Sequence, residues 1–202
     1  MFDKYKIILA SRSPRRRELL SGLDIDFSVE IDKDEKEAYS ANMPHDEVPE
    51  FLARHKSESF YRQLSINEAL ITADTLVFCP MCNGTGSIAD CEILGKPSDR
   101  REAVDMLCRL SGITHYVTTG VAIRTINDIR SFSVTSEVTF KSLTKDEISY
   151  YIDNYMPFDK AGAYGIQEWI GYIGITSIKG SYYNIMGLPV QRLYGELCDM
   201  LR

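Results

Sequence analysis

No part of this chain approaches the ~20 consecutive apolar residues that a membrane-spanning helix needs, so no membrane partner is expected. No secretory leader is expected either, since the apolar run at 7–10 is too short and passes straight into arginines. Cysteines are few and odd in number, five in 202 residues, which argues against a secreted disulfide framework. Positive charge is in deficit, with 23 Lys and Arg against 29 Asp and Glu and a net charge of −6. Nonspecific nucleic-acid binding needs a basic footprint, so no nucleic-acid partner is expected either. There is no internal repeat and no low-complexity linker. Together these absences predict a cytoplasmic protein acting on something small.

What is present is ordinary globular material, 44% hydrophobic and 26% charged. The length suits a single domain over 1–202, or two closely packed lobes around a substantial core. Residues 7–10 read as a short buried strand. Pro14 then opens a helix with Ser13 as its N-cap and Gly22 at its end. A weak strand is expected over 25–31 and a polar loop over 32–46. A helix starting near Asp46 and running to about Leu64 carries Lys56, with Phe51, Leu52, His55 and Ser59 on one stripe. Residues 70–78 form a strong strand that contains Asp74. The segment 79–94 reads as a hairpin around the Gly-rich turn 83–86.

Further along, Ser98 caps a helix whose apolar stripe is Ala103, Met106, Leu107 and Leu110, ended by Gly112. Two β-rich runs, 115–126 and 130–143, join at 127–128 as an antiparallel pair. Thr144 and Glu147 form a capping box for a helix reaching about Tyr155. A strand is expected over 170–178, and a last helix begins at Pro189 and buries Val190, Leu193 and Leu197. The fold class is mixed α/β.

Four places carry chemistry. The junction Ser11-Arg12-Ser13-Pro14-Arg15-Arg16-Arg17 joins a strand end, a helix N-terminus, two hydroxyls and four guanidinium groups. Helix N-termini and arginine forks both favour phosphate. An exposed Arg-rich helix start is the plainer alternative. Asp74 sits in an apolar strand, where a carboxylate needs a partner. It reads as a general base or divalent-metal ligand, or as a buried Asp holding neighbouring backbone N–H groups. Lys96, between Gly95 and Pro97, is a phosphate contact or a solvated loop lysine. Gln167 ends a glycine-rich stretch in which the backbone could approach a ligand, or which is a simple interlobe turn.

In combination these residues resemble the Maf nucleotide pyrophosphatases along almost the whole chain. The resemblance lies in Ala10-Ser11-Arg12-Ser13-Pro14-Arg15-Arg16, Ala73-Asp74-Thr75, Gly95-Lys96-Pro97, Leu110-Ser111-Gly112 with His115, and Thr119-Gly120-Val121. It continues through residues 159–167, Gly180-Ser181-Tyr182-Tyr183-Asn184 and Gly187-Leu188-Pro189. The stretches 159–167 and 180–184 are similar to the branch acting on dTTP and UTP rather than the one acting on 7-methyl-GTP.

The resemblance implies a Maf / inosine triphosphatase-like fold, a twisted mixed β-sheet with flanking helices and two lobes with an active-site cleft between them. It implies hydrolysis of dTTP and UTP, or modified pyrimidine nucleotides, to the monophosphate and pyrophosphate, clearing them from the nucleotide pool. Asp74 would be the general base. Ser11, Arg15, Arg16, Lys56 and Lys96 would bind the triphosphate, and Arg15, Thr75 and Gln167 would select the base. A divalent cation, Mg²⁺ first and Mn²⁺ second, would be held by Asp74 and Glu35, with Asp34 and Glu37 as neighbouring alternatives for the second carboxylate. A homodimer is an expected assembly. A nucleotide-binding regulator of cell division with little catalysis is the other reading of the same grip. Cys79, Cys82 and Cys91 resemble half of a zinc ribbon, but three ligands without a histidine fall short of a closed site. An extended hairpin accounts for them better.

Overall fold

The computed structural model describes residues 2, 4–31, 39, 40, 42–81 and 87–201. Among these residues seven strands form one sheet: β1 (Lys6–Leu9), β2 (Phe27–Val29), β3 (Glu68–Pro80), β4 (Cys91–Leu94), β5 (Thr114–Arg124), β6 (Ile129–Phe140) and β7 (Ile175–Lys179). Their order is β2-β1-β3-β5-β6-β7, with β4 added alongside β3. β1 pairs in parallel with both β2 and β3, whereas β4 on β3 and β7 on β6 are antiparallel. Among the described residues seven α-helices accompany them: α1 (Pro14–Ser21), α2 (Val48–Glu58), α3 (Arg100–Leu110), α4 (Lys145–Tyr155), α5 (Trp169–Gly174), α6 (Tyr182–Met186) and α7 (Val190–Leu201). The mixed α/β class read from the sequence is the one found.

Two compact units divide the chain. One comprises Met1–Asp74, Thr119–Val134 and Gly187–Arg202; the other comprises Thr75–Thr118 and Thr135–Met186. In the first, Ile8, Phe60, Leu64 and Leu70 form an apolar cluster. In the second, the expected stripe of α3 is fully used: Ala103, Met106, Leu107 and Leu110 are all buried. Burial of the Met and Leu side chains contributes on the order of 1.5–3 kcal/mol each.

Local sequence chemistry explains most boundaries. Ser13 caps α1 by accepting from the Arg16 N–H, and Thr144 and Glu147 make both bonds of the capping box. Three expectations need correction. The cap of α3 is Asp99, which accepts from the Glu102 N–H at 2.8 Å, while Ser98 bonds the Glu102 carboxylate. α2 is shorter than expected and its inward face differs: Leu52, Ala53, Lys56 and Ser57 are buried, whereas His55 and Ser59 are exposed. Residues 170–178 are not one strand but α5 followed by β7. Gly171 allows that helix, because a Cβ there would lie 1.8 Å from the Ile166 carbonyl oxygen. A short apolar run cannot by itself separate buried helix from strand. The polar loop expected at 32–46 falls partly outside the described residues, as does the turn at 83–86.

Candidate active site

The first unit brings together the residues at the end of β1, the start of α1, and the middle of β3. β1 delivers the chain to Ser11, a buried residue whose hydroxyl accepts from the Ser13 N–H at 3.2 Å. Pro14 at the first turn and the Ser13 cap start α1 there, so Arg15, Arg16 and Arg17 occupy its first turn. Arg16 is held twice: its Nε donates to the Gly187 carbonyl and its Nη1 to the Ala73 carbonyl, both at 2.8 Å. Gly187 has φ +116°, a conformation open to glycine and strained for other residues. That accounts for a glycine in the Gly187-Leu188-Pro189 motif. Arg15 and Arg17 are half-buried and Arg12 is exposed.

Asp74 follows Ala73 and is buried. Its Oδ1 accepts from Lys56 Nζ at 2.6 Å, and the two side chains are only 9% and 7% exposed. This is the shortest route by which the strand's carboxylate escapes the cost of being buried alone. Two neighbouring contacts set the pair. Thr72, two residues earlier on the same face of β3, donates to the Ala53 carbonyl at 2.6 Å. Ala53 lies three residues before Lys56 on α2, so the helix is fixed one turn from the ammonium. At the other end, α2 approaches β5 so closely that a Cβ on Gly120 would lie 2.1 Å from the Pro49 carbonyl oxygen. The glycine of Thr119-Gly120-Val121 therefore exists to admit a helix backbone. Lys56 occupies a core-facing position of α2 that apolar periodicity does not register, and this is why the sequence misjudged the helix's inner face.

The second unit carries the remaining candidates. Thr75 is its first residue and half-buried; Lys96 is exposed on the turn after β4. The turn is tied to the glycine-rich segment by a hydrogen bond from the Gly162 N–H to the Gly95 carbonyl at 3.0 Å. Gly162 has φ +66° and packs on Val77, where a Cβ would meet both methyls at 3.0 Å. Gln167 is half-buried, and its Oε1 is buried with no hydrogen-bond partner among the described residues.

Around Gln167 lies a polar cluster that sequence reasoning missed. The Lys160 ammonium, 8% exposed, lies 2.6 Å from Asp159 Oδ1 and 3.1 Å from Glu168 Oε1. Tyr151, from α4, donates to Glu168 Oε2 and accepts from the Gly165 N–H at 3.0 Å. Burial first, and then the Glu168 carboxylate, push the Tyr151 phenol well above its ordinary range, so it stays a proton donor. A signal was available in the Asp-Lys dipeptide at 159–160 inside a glycine-rich stretch, but its partner Tyr151 lies on a separate helix. Nearby, buried His115 bonds the Tyr164 hydroxyl through Nε2 at 2.8 Å, and burial lowers its pKa to about 3. His115 is thus a neutral core histidine.

Ser11, Arg15, Arg16, Lys56 and Asp74 belong to the first unit; Thr75, Lys96 and Gln167 belong to the second. Glu35, Asp34 and Glu37 lie outside the described residues. Among the described residues no three His, Cys, Asp or Glu side chains cluster to hold a metal. Mg²⁺ asks less than that: one or two carboxylates plus substrate phosphates and water. Asp74, with Oδ1 engaged by Lys56, still has oxygen lone pairs to offer and fits that demand. Cys79 and Cys91 are buried on the antiparallel β3–β4 pair and form no disulfide among the described residues; Cys82 and the turn of the hairpin lie outside the described residues. Among the described residues no helix is long and apolar enough to cross a membrane.

Comparison with known proteins supplies the wider context. The family model described as Maf-like protein matches residues 6–200. A protein of Bacteroides thetaiotaomicron named dTTP/UTP pyrophosphatase is 51% identical over 195 residues, covering 96% of each chain. Relatives of the same name come from Parabacteroides distasonis, 52% identical over 96% of this chain and 95% of its own, and Porphyromonas gingivalis, 52% identical over 97% and 94%. Among solved structures, the Staphylococcus aureus Ham1 protein aligns over 95% of this chain and 99% of its own, at 17% identity and a TM-score of 0.49.

Proposed function

The chain belongs to the Maf-like protein family, and from that premise we propose that it is a nucleoside triphosphate pyrophosphatase acting on dTTP and UTP. The observation that carries the reading is the buried Lys56–Asp74 pair, one residue from the Ala73 carbonyl that anchors Arg16. A carboxylate beside fixed cations suits a group that must take a proton from water where phosphate is bound. In the reaction proposed, water attacks the α-phosphorus and its proton passes to Asp74. The new bond joins water oxygen to the α-phosphorus; the bond to the bridging oxygen breaks, and pyrophosphate leaves.

The cations would act on the charge of the triphosphate. Lys56, which donates to Asp74, would bring its ammonium charge to a phosphate oxygen. Arg15 would add a guanidinium, Arg16 its anchored positive charge, and Ser11 a hydroxyl. The Lys96 ammonium makes no hydrogen bond or ion pair among the described residues and is exposed, which suits a phosphate contact. Thr75 and Gln167, with Arg15, would read the base. A divalent cation, Mg²⁺ or Mn²⁺, would be held by Asp74 and the substrate phosphates, and would lower charge on the leaving group. The low, odd cysteine count and a nucleotide substrate support a cytoplasmic setting, and a homodimer is the assembly to test by sedimentation.

A nucleotide panel with Mg²⁺ tests the reading. Pyrophosphate should be released fastest from dTTP or UTP, and Asp74→Asn should abolish turnover while leaving nucleotide binding measurable. Faster release from 7-methyl-GTP would overturn the branch, and orthophosphate as product would overturn the reaction. Binding without hydrolysis in any divalent metal would favour the regulatory reading. Full activity of Asp74→Asn would remove that carboxylate from the mechanism.

A further inference from the structure

We propose that Tyr151 is a positioning residue for base selection, its hydroxyl locking the 165–168 turn and so setting the direction of the Gln167 amide. The inference rests on the pyrophosphatase reading and on Gln167 facing the base. Tyr151 is fully buried, and its ring already packs on Tyr155 with centroids 5.2 Å apart. A phenylalanine would supply that packing, so the hydroxyl answers to something else. It accepts from the Gly165 N–H at 3.0 Å and donates to Glu168 Oε2. Those two partners bracket Gln167, two residues before it and one after.

Glu168 is fixed from its other oxygen by Lys160 at 3.1 Å, and Lys160 is itself fixed by Asp159 at 2.6 Å. Gly165 makes room for this pair: a Cβ there would lie 2.9 Å from Glu168 Cδ and 3.1 Å from Lys160 Cε. The turn is thus tied to α4 through one hydroxyl and to its own start through one ammonium. By contrast, Gln167 Oε1 is buried and accepts no hydrogen bond among the described residues. The direction of that amide is therefore inherited from the backbone on either side, which Tyr151 holds.

The unfilled acceptor also indicates what it would read. A buried carbonyl without a donor is costly, and a ligand N–H that fills it is favoured over one that cannot. Uracil and thymine carry an N3–H between two carbonyls, whereas cytosine presents an unprotonated N3 at the same edge. Gln167 Oε1, correctly aimed, would accept from the first pair and reject the second.

The test compares UTP and CTP in steady-state kinetics for wild type, Tyr151→Phe, Gln167→Leu and the double variant, with melting temperature recorded for each. Wild type should favour UTP. Tyr151→Phe should lose about tenfold of that preference, the worth of one hydrogen bond, through a raised KM for UTP with kcat within about twofold. Gln167→Leu should lose at least as much, and the double variant no more than Gln167→Leu, because Tyr151 acts through Gln167. Equal loss toward both nucleotides in Tyr151→Phe, with or without a lowered melting temperature, would mean a structural role only and would overturn the proposal. So would an unchanged UTP preference in Gln167→Leu, which leaves the pyrophosphatase reading intact. Absence of pyrophosphate release from UTP by wild type would overturn that reading itself.

Discussion

Replacing Lys56 with methionine removes one half of a buried ion pair at nearly constant volume. The partner, Asp74, is 9% exposed in its side chain and 2.6 Å from the lost ammonium, so solvent cannot substitute for it. Breaking such a pair from one side costs about 3–5 kcal/mol, because a charge remains buried without compensation. With unfolding entropy of about 2.1 cal/mol/K per residue, 202 residues give about 0.4 kcal/mol/K, so melting should fall by about 7–12 °C. Replacing both partners, in Lys56→Met with Asp74→Leu, should recover most of that loss, since an apolar pair of similar volume is commonly neutral or better. Both variants should be inactive. Differential scanning calorimetry at neutral pH with parallel pyrophosphate assays measures all of this. A single variant melting within 2 °C of wild type, on the scale set above, would refute the reasoning. So would a double variant whose loss is the plain sum of the two singles.

Two other outcomes follow from neighbouring geometry. Arg16→Lys keeps the charge but cannot reproduce the two 2.8 Å bonds to Gly187 and Ala73; a charged hydrogen bond lost here is worth about 1.5–3 kcal/mol, so kcat/KM for dTTP should fall at least about tenfold, and unchanged kinetics would discount Arg16 as an anchored phosphate ligand. His115 binds a proton near 6.5 when unfolded but only at about 3 when folded. Between those values the unfolded state holds more protons, so stability is full above 6.5 and is lost as the pH falls toward 3. From pH 6.5 to 5 this group alone should remove roughly 1–2 kcal/mol, and denaturant melts of His115→Gln should show a correspondingly shallower acid slope.

Short-range chemistry made much of the fold legible before any coordinates. Ser13 and Pro14 mark the start of α1, Thr144 and Glu147 that of α4, and the stripe of α3 names its buried face, because caps and periodicity act within one or two turns. Where competing local signals were equal, the reading slipped. Asp99 displaced Ser98 as a cap, and the apolar run after Gln167 split into α5 and β7 because Gly171 lets a turn close on the Ile166 carbonyl. The candidate site divides along the same line. Asp74 stood out as a carboxylate in an apolar strand and the arginines as a cluster at a helix start, each visible within ten residues.

What the sequence determined by itself, then, was the set of chemical groups: a guarded carboxylate, forked cations at a strand-to-helix junction, and a glutamine beyond a glycine-rich stretch. These follow from residue type and local spacing, and the resemblance to the Maf proteins drew on nothing more. Only the tertiary structure decided partnership. Lys56 meets Asp74 because Thr72 and Gly120 seat α2 against two strands, contacts 19 and more residues apart in the chain. Tyr151 meets Gly165 and Glu168 in the same way, from a separate helix. Ion pairs and hydrogen bonds act over a few ångströms in space and carry no trace of sequence distance, so no local pattern could announce them.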